Sequence, residues 1–319
     1  MTLKKRPLGQ TGIEVTPIGL GVMQLSGRGL LTNNFLAQVA EGESNRIVQA
    51  ALDGEINWFD TAAFYGGGRS ERSLAGALAA AGVKDSDVVV GTKWFPLLKT
   101  AGNISRTIGQ RISNLDGYSI DLFMVHAPIG LSSIEAEMNA MADLVDAGQI
   151  RSVGISNFNP KQMRRAHAAL RARGLPLAVN QVEYSLAQRS IETNGVLETA
   201  QELGVTIIAW GPLASGLLTG RFHDDPQALA ATPVARRRRF RRLLDSTRPL
   251  IAALTELGAR YDATPAQVAL NWLIHSHGDS VVAIPGASKV RQAADSAGAM
   301  NFQLTGDELD QLDQASKES

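Results

Sequence analysis

INWFDTAAFYGGGRSE, residues 56–71, decides the architecture. An apolar run ends in Asp60 and Thr61, a glycine-rich turn follows Tyr65, and apolar spacing then predicts a helix over Ser70–Ala81. The stretch therefore reads as a strand of Ile56–Thr61, a loop and a helix, with polar side chains gathered where the strand ends. Two more stretches repeat that grammar: DVVVGTK (87–93) ends in Lys93, and IDLFMVHA (120–127) carries His126. The glycines at 66–68 do not form a dinucleotide fingerprint. They lack the G-x-G-x-x-G spacing and read as a turn into the next helix.

Upstream, RPLGQTGIEVTPIGLGVM (6–23) alternates around Gly9 and Gly12, predicting a short hairpin before a buried strand at Ile18–Met23. Helix spacing follows in 44–55. Downstream, strands are expected at Val88–Lys93, Leu122–His126, Ser152–Ser156, Ala178–Glu183, Thr206–Trp210 and Val281–Pro285. Helices are expected near Ile104–Leu115, Ser133–Ala147, Pro160–Arg173, Ile191–Leu203, Pro249–Tyr261, Pro265–His275 and Ser288–Ala299. Uninterrupted apolar strands such as DLFMVH and VTIIAW indicate a parallel sheet covered by helices. Eight such βα units without a linker predict one (β/α)8 barrel over residues 1–319; an open doubly wound sheet is the alternative. Barrel active sites lie at the C-terminal strand ends, where Asp60, Lys93, His126, Asn157, Gln181 and Trp210 fall.

Bulk properties narrow the function. The chain has 319 residues, 44% of them hydrophobic, enough for a substantial core. Lysine plus arginine and aspartate plus glutamate are both 31, so no overall basic field recommends nucleic acid. Cysteine is absent, which excludes disulfides and thiolate metal sites. No apolar run approaches the ~20 residues of a membrane span, and MTLKKRPLG lacks the apolar core of a secretory signal. A soluble, cytoplasmic protein with a small-molecule partner is expected.

A tyrosine hydroxyl, with an ordinary pKa of about 10, is a poor acid near neutrality. A lysine ammonium within reach pulls that value down, an aspartate holds the ammonium in place, and a histidine can orient a carbonyl oxygen. Asp60, Lys93, Tyr65 and His126 supply this set. Each has an ordinary role available: a turn cap, a solvated strand end, loop packing, a core histidine. Together at neighbouring strand ends they favour chemistry on a carbonyl.

NWFDTAAFYGGGRSE, VVVGTKW and IDLFMVHAP resemble the three motif blocks of the aldo-keto reductases, and the likeness runs from about Leu8 to Ala299. It implies a (β/α)8 barrel with an N-terminal hairpin and extra C-terminal helices. It also implies Tyr65 as proton donor, Lys93 and Asp60 lowering its pKa, and His126 orienting the carbonyl. Many relatives carry a bulky residue after the histidine where this chain has Ala127, which implies a roomier pocket that Phe64, Trp94 and Phe158 could line.

For the hydride source, the residues point to a nicotinamide nucleotide across the barrel mouth. Ser156, Asn157 and Gln181 offer polar groups to a carboxamide, and Trp210 offers a ring to stack on. WGPLASGLLTGR (210–221) is rich in small residues that let backbone amides approach a pyrophosphate. IPGASKVRQAADS (284–296) opens a helix with Ser288, Lys289 and Arg291 at its start, a phosphate site. The resemblance implies that this last turn takes an adenosine 2′-phosphate, with Gln292 and Asp295 towards adenine. It adds contacts from Gly21, Met23, Gly211, Pro212, Leu213, Ser215, Gly216, Leu217, Gly220, Arg221, Gly286 and Ser296, the last where relatives commonly have asparagine. NADPH is expected over NADH. The basic run Arg236–Arg242 reads as a solvated helix start or loop, with a lid as the functional alternative. The expected activity is NADPH-dependent reduction of an aldehyde or ketone. The alternatives are an NAD-dependent sugar dehydrogenase working oxidatively and a nucleotide-binding regulatory subunit.

Overall fold

The computed structural model describes residues 4–27, 39 and 42–317. A two-stranded antiparallel hairpin, β1 (Arg6–Pro7) and β2 (Glu14–Val15), precedes eight parallel strands. These are β3 (Leu20–Gly21), β4 (Trp58–Asp60), β5 (Val89–Trp94), β6 (Leu122–Val125), β7 (Ser152–Ser156), β8 (Leu177–Glu183), β9 (Thr206–Trp210) and β10 (Val281–Ile284). Each pairs with the next, with a register shift between Val153 and Ile155 where β7 meets β8, and the first meets the last through parallel bridges Ile18–Ala283 and Gly21–Gly286. Gly19 N donates to Ala283 O at 2.8 Å and Gly21 N to Pro285 O at 3.0 Å, so the ladder closes into a barrel.

The outer ring consists of α1 (Glu43–Asp53), α2 (Arg69–Ala80), α3 (Gly102–Leu115), α4 (Ile134–Asp146), α5 (Pro160–Arg171) and α6 (Val196–Leu203). It continues with α7 (Arg221–Asp224), α8 (Pro226–Ala230), α9 (Val234–Arg260), α10 (Pro265–His275), α11 (Val290–Gly298) and α12 (Gly306–Lys317). Local chemistry sets several ends. Asn159 with Gln162, and Thr264 with Gln267, form reciprocal capping boxes followed by proline. Ser133 accepts from Ala136 N at the start of α4.

Strand alternation sorts the side chains into two cores. Trp58, Val89, Leu122, Met124, Val179, Ile208 and Val282 fill the barrel interior, and the hairpin residues Leu8, Ile13 and Val15 plug its N-terminal end. Trp58 donates to Thr16 O at 2.9 Å, and its ring occupies the space beside Gly19, where a Cβ would lie 2.3 Å away. Phe59, Val90, Phe123, Val153 and Ile207 point outward into the larger core beneath the helices. With the interior filled from below, side chains at the upper strand ends define the open end.

Two expected helices differ. The helix over Ile191–Leu203 is broken: a 3-10 turn, Ser190–Glu192, is separated from α6 by Gly195 at φ 82. The helix expected from Pro249 instead starts at Val234 and carries Pro249 inside it. Its buried positions Phe240, Thr247, Leu250, Leu254 and Leu257 keep helical spacing across the proline. Tertiary burial thus outweighs the missing N–H bond. The run 236–242 is accordingly helical. Arg236 donates to Ser215 O and lies over the Phe222 and Phe240 rings, while Arg237 donates to Ala230 O at 2.9 Å.

Candidate active site

β4, β5 and β6 bring three of the four sequence-selected residues to one spot, and the turn after β4 adds Tyr65. Lys93 Nζ lies 2.5 Å from Asp60 Oδ1 and 2.9 Å from Thr61 O, with both side chains essentially inaccessible. The ammonium sits 5.4 Å from the centre of the Tyr65 ring. The Tyr65 and His126 rings meet edge to face, 5.7 Å apart. Gly66, Gly67 and Gly68, all at positive φ, make the turn that returns the chain to α2, and Gly68 caps that helix.

The electrostatics follow from burial and charge. Burial lowers the basicity of Lys93, but Asp60 and Tyr65 outweigh it and leave its pKa raised, so the side chain is a cation. For Tyr65 the order reverses. Burial pushes its pKa up and Asp60 adds to this, while Lys93 pulls it down by charge and hydrogen bond; the balance lies above the ordinary tyrosine value. Only the downward pull, from Lys93, is legible in the sequence. Burial and Lys93 together hold His126 neutral, with a pKa of about 3. Its buried Nδ1 has no partner among the described residues. Tyr65 is thus a protonated phenol beside a cation and a neutral imidazole.

Gln181, expected to face a carboxamide, spends its amide nitrogen on Asp60 Oδ2 at 3.0 Å and is buried. It is a support for the carboxylate that sequence reasoning missed. Asn157 turns out of β7 at φ 62, a left-handed conformation that asparagine tolerates. It donates to Ser156 Oγ at 3.1 Å and accepts from Trp210 Nε1 at 3.1 Å. That bond fixes the half-buried indole as a flat surface at the end of β9. Ser156 itself is buried.

Of the three expected pocket residues, only Phe64 is at the mouth. Trp94 and Phe158 are 2% and 1% exposed in the outer core, and Trp94 donates to Asn103 Oδ1 at 2.9 Å. This corrects the expectation for both. Alternation along β5 explains it: Lys93 faces the mouth, so Trp94 faces away and Phe95 returns. Phe95 stacks on Phe64 at 4.4 Å and meets the His126 ring at 5.6 Å.

The loop 211–220 holds Gly211, Ala214, Ser215, Gly216 and Gly220 at positive φ, a strained path that Arg236 ties down through Ser215 O. The Leu217 side chain is wholly buried, leaving only backbone for a ligand. Across the barrel seam, Gly21 lies tight against Ile284 O, and Met23 is half-buried. α11 starts at Val290, two residues later than expected, with Lys289 as its N-cap. Ser288 N and Oγ donate to Gln292 Oε1 at 2.8 and 3.1 Å, and Arg291 pairs with Asp295 at 3.4 Å. Lys289 is exposed, and its ammonium has no ion pair or hydrogen bond among the described residues, while its carbonyl accepts from Gln292 N at 3.0 Å. Ser296 is 4% exposed, packed inward and closed to an adenine ring.

These residues fit a nicotinamide nucleotide. The fixed Trp210 face suits a ring, and the uncommitted Lys289 suits a phosphate. The buried Oε1 of Gln24 beside Gly286 is an acceptor without a partner among the described residues. No group of three or more His, Asp or Glu side chains among them could hold a metal ion.

The fold and the tetrad together define an oxidoreductase barrel, and comparison with known proteins agrees. The aldo/keto reductase family model matches residues 17–317. The chain is 32% identical to the chloroplastic pyridoxal reductase of Arabidopsis thaliana over 96% of its own length and 85% of that protein's. Among solved structures, the glycerol dehydrogenase of Gluconobacter oxydans superposes with a TM-score of 0.79 at 25% identity, covering 99% and 95% of the two chains. A thermostable aldo-keto reductase solved with the inhibitor epalrestat gives 0.78 at 26%, covering 98% and 99%. This chain belongs to the aldo-keto reductase family. It is an enzyme acting on carbonyl groups, in a family that uses NADH or NADPH. No helix among the described residues is long and apolar enough to cross a membrane.

Proposed function

We propose that the protein reduces an aldehyde or ketone to the alcohol with NADPH, and that Tyr65 donates the proton. The observation that carries this reading is the buried Asp60–Lys93 pair beside a Tyr65 whose phenol stays protonated. When bound, the nicotinamide supplies hydride to the carbonyl carbon. This chain's residues do the rest. His126, neutral, turns a ring nitrogen to the carbonyl oxygen and orients it. Tyr65 hands its proton to that oxygen as negative charge develops there, and Lys93 stabilises the tyrosinate left behind. Asp60, held by Gln181, keeps Lys93 in place. Trp210, Asn157 and Ser156 would hold the nicotinamide end, residues 211–221 the pyrophosphate, and Ser288 with Lys289 the 2′-phosphate.

The likeness to a protein named pyridoxal reductase supports reduction of an aldehyde. Oxidation of a sugar or polyol draws on the likeness to glycerol dehydrogenase, but two stacked phenylalanines beside His126 suit a polyhydroxylated substrate poorly. A cytoplasmic setting belongs to the proposal on the cysteine-free composition alone. The test is turnover of an aldehyde panel with NADPH and with NADH. Consumption of NADPH at least tenfold more efficient than NADH is expected. No turnover of any carbonyl compound, or oxidation of sugars with NAD only, would contradict the reading.

A further inference from the structure

The stretch 56–71 closes on Arg69, Ser70 and Glu71, the first turn of α2, which the reduction described above does not use. Ser70 and Glu71 are fully buried, and each of the three side chains reaches a different segment. Arg69 Nε donates to Ser26 O at 2.8 Å, beyond the end of β3. Ser70 Oγ donates to Val22 O at 2.7 Å and accepts from Thr61 Oγ1 at 2.9 Å. The carbonyl of that same threonine receives the Lys93 ammonium. Ser70 N donates to Tyr65 O at 3.3 Å. Glu71 Oε1 accepts from Thr92 Oγ1 at 2.7 Å, one residue before Lys93 in β5. Glu71 Oε2 accepts from Asn114 Nδ2 at 2.7 Å and lies 3.2 Å from Arg111 Nε. Asn114 in turn sits against the glycine turn, since a Cβ on Gly68 would lie 2.3 Å from its Nδ2. A buried carboxylate is a costly way to join a helix to a strand. An apolar side chain of similar volume commonly stabilises a core as well or better. Burial accordingly raises the Glu71 pKa against the pull of Asn114, Arg111 and Thr92. What hydrogen bonds add to packing is direction.

We infer that Glu71 is a positioning residue for the proposed proton transfer: through Thr92, Asn114 and the first turn of α2 it fixes the Lys93 strand and the Tyr65 turn relative to each other. The inference rests on the reading of Tyr65 as proton donor. One oxygen of the carboxylate holds β5 beside Lys93, and the other holds the asparagine on which the turn after Tyr65 is seated. A shift of about 1 Å between reacting groups can cost on the order of a hundredfold in rate, which is the penalty this network prevents.

Thr92→Val exchanges the hydroxyl for a methyl of similar size, and Glu71→Gln keeps the shape of the side chain while removing an acceptor. Both are assayed below their melting temperatures by single-turnover aldehyde reduction with NADPH, nucleotide titration and a pH–rate profile. Each should slow the chemical step roughly tenfold to a hundredfold with NADPH affinity unaltered. The basic limb of the profile should move to higher pH as Lys93 acts less on Tyr65. Thr92→Ser, which restores the hydroxyl, should recover both rate and profile. In a Tyr65→Phe background Thr92→Val should add almost nothing, because its effect passes through the phenol. Lower melting temperatures with rates within twofold of the wild type and an unaltered profile would make the network structural only and overturn the inference. An equal loss with and without the Tyr65 hydroxyl would overturn it too, leaving Tyr65 as the acid. A Tyr65→Phe variant that itself keeps the wild-type rate removes the proton-donor reading, and the inference with it.

Discussion

At one end of the open face, Lys93 and Asp60 are sealed from water, paired at 2.5 Å and braced by Thr61 O and Gln181. At the other, Lys289 stands exposed and Ser288 is capped by nothing further away than Gln292. The first region is organised before any ligand arrives, and its protonation states are set by burial. The second lies at a helix start and keeps the Ser288 donors satisfied with its own glutamine, Gln292. Proton transfer needs groups whose pKa values are fixed in advance, which only a low-dielectric enclosure supplies. Phosphate binding needs only a cation and free N–H groups at a surface, where desolvation costs little.

Breaking the enclosed region should have the largest effect. Lys93→Met leaves the Asp60 carboxylate buried without its cation, which costs about 3–5 kcal/mol of stability by the usual penalty for an uncompensated buried charge. It also removes the influence that draws the Tyr65 pKa down, so the basic limb of the pH–rate profile should move to higher pH. Denaturant titration and the profile check the two halves; an unaltered profile would mean that Tyr65 and Lys93 are not coupled.

Glu137 sharpens the comparison from the opposite side, as a buried carboxyl with no cation. It is 2% exposed, its Oε1 has no partner among the described residues, and burial raises its pKa from 4.5 to about 7. An acid with a raised folded-state pKa is protonated in the fold while the unfolded chain has already released its proton. Stability is therefore undiminished below about pH 4.5 and falls as pH rises through 7. The interval corresponds to roughly 3 kcal/mol. Glu137→Gln should raise the melting temperature at pH 8 and leave it nearly unaltered at pH 4; equal gains at both would refute the titration.

The smallest effect belongs to the exposed end. Lys289→Ala should weaken NADPH binding by a charged hydrogen bond, ~1.5–3 kcal/mol or roughly tenfold to a hundredfold, and barely touch NADH. Fluorescence titration with both nucleotides measures it, and equal losses for the two would place the 2′-phosphate elsewhere.

The barrel was legible because strands such as β4, β5 and β6 are apolar runs that end at or beside a polar residue, a pattern visible in the local sequence. Asp60, Lys93 and His126 stood out for that reason. Phe95 did not, although period-two alternation from Lys93 would have found it and set Trp94 aside. Gln181 was read as a ligand contact because sequence spacing says nothing of its approach to Asp60 across the barrel. α9 was cut short at Pro249, since the buried stripe that carries the helix through the proline belongs to tertiary packing. The raised pKa of Tyr65 was hidden for a similar reason: the neighbouring charges are visible in sequence, and the depth of burial is not.

The central claim, that the phenol of Tyr65 delivers the proton, is tested most directly by single-turnover reduction of an aldehyde by Tyr65→Phe beside the wild type, with NADPH binding measured on both. General acid catalysis contributes ~10²–10⁴-fold. The account predicts a loss of that size in the hydride-transfer rate with cofactor affinity preserved, because only one oxygen is removed. A rate within a few fold of the wild type would contradict it and return the proton to another group at the mouth, His126 foremost.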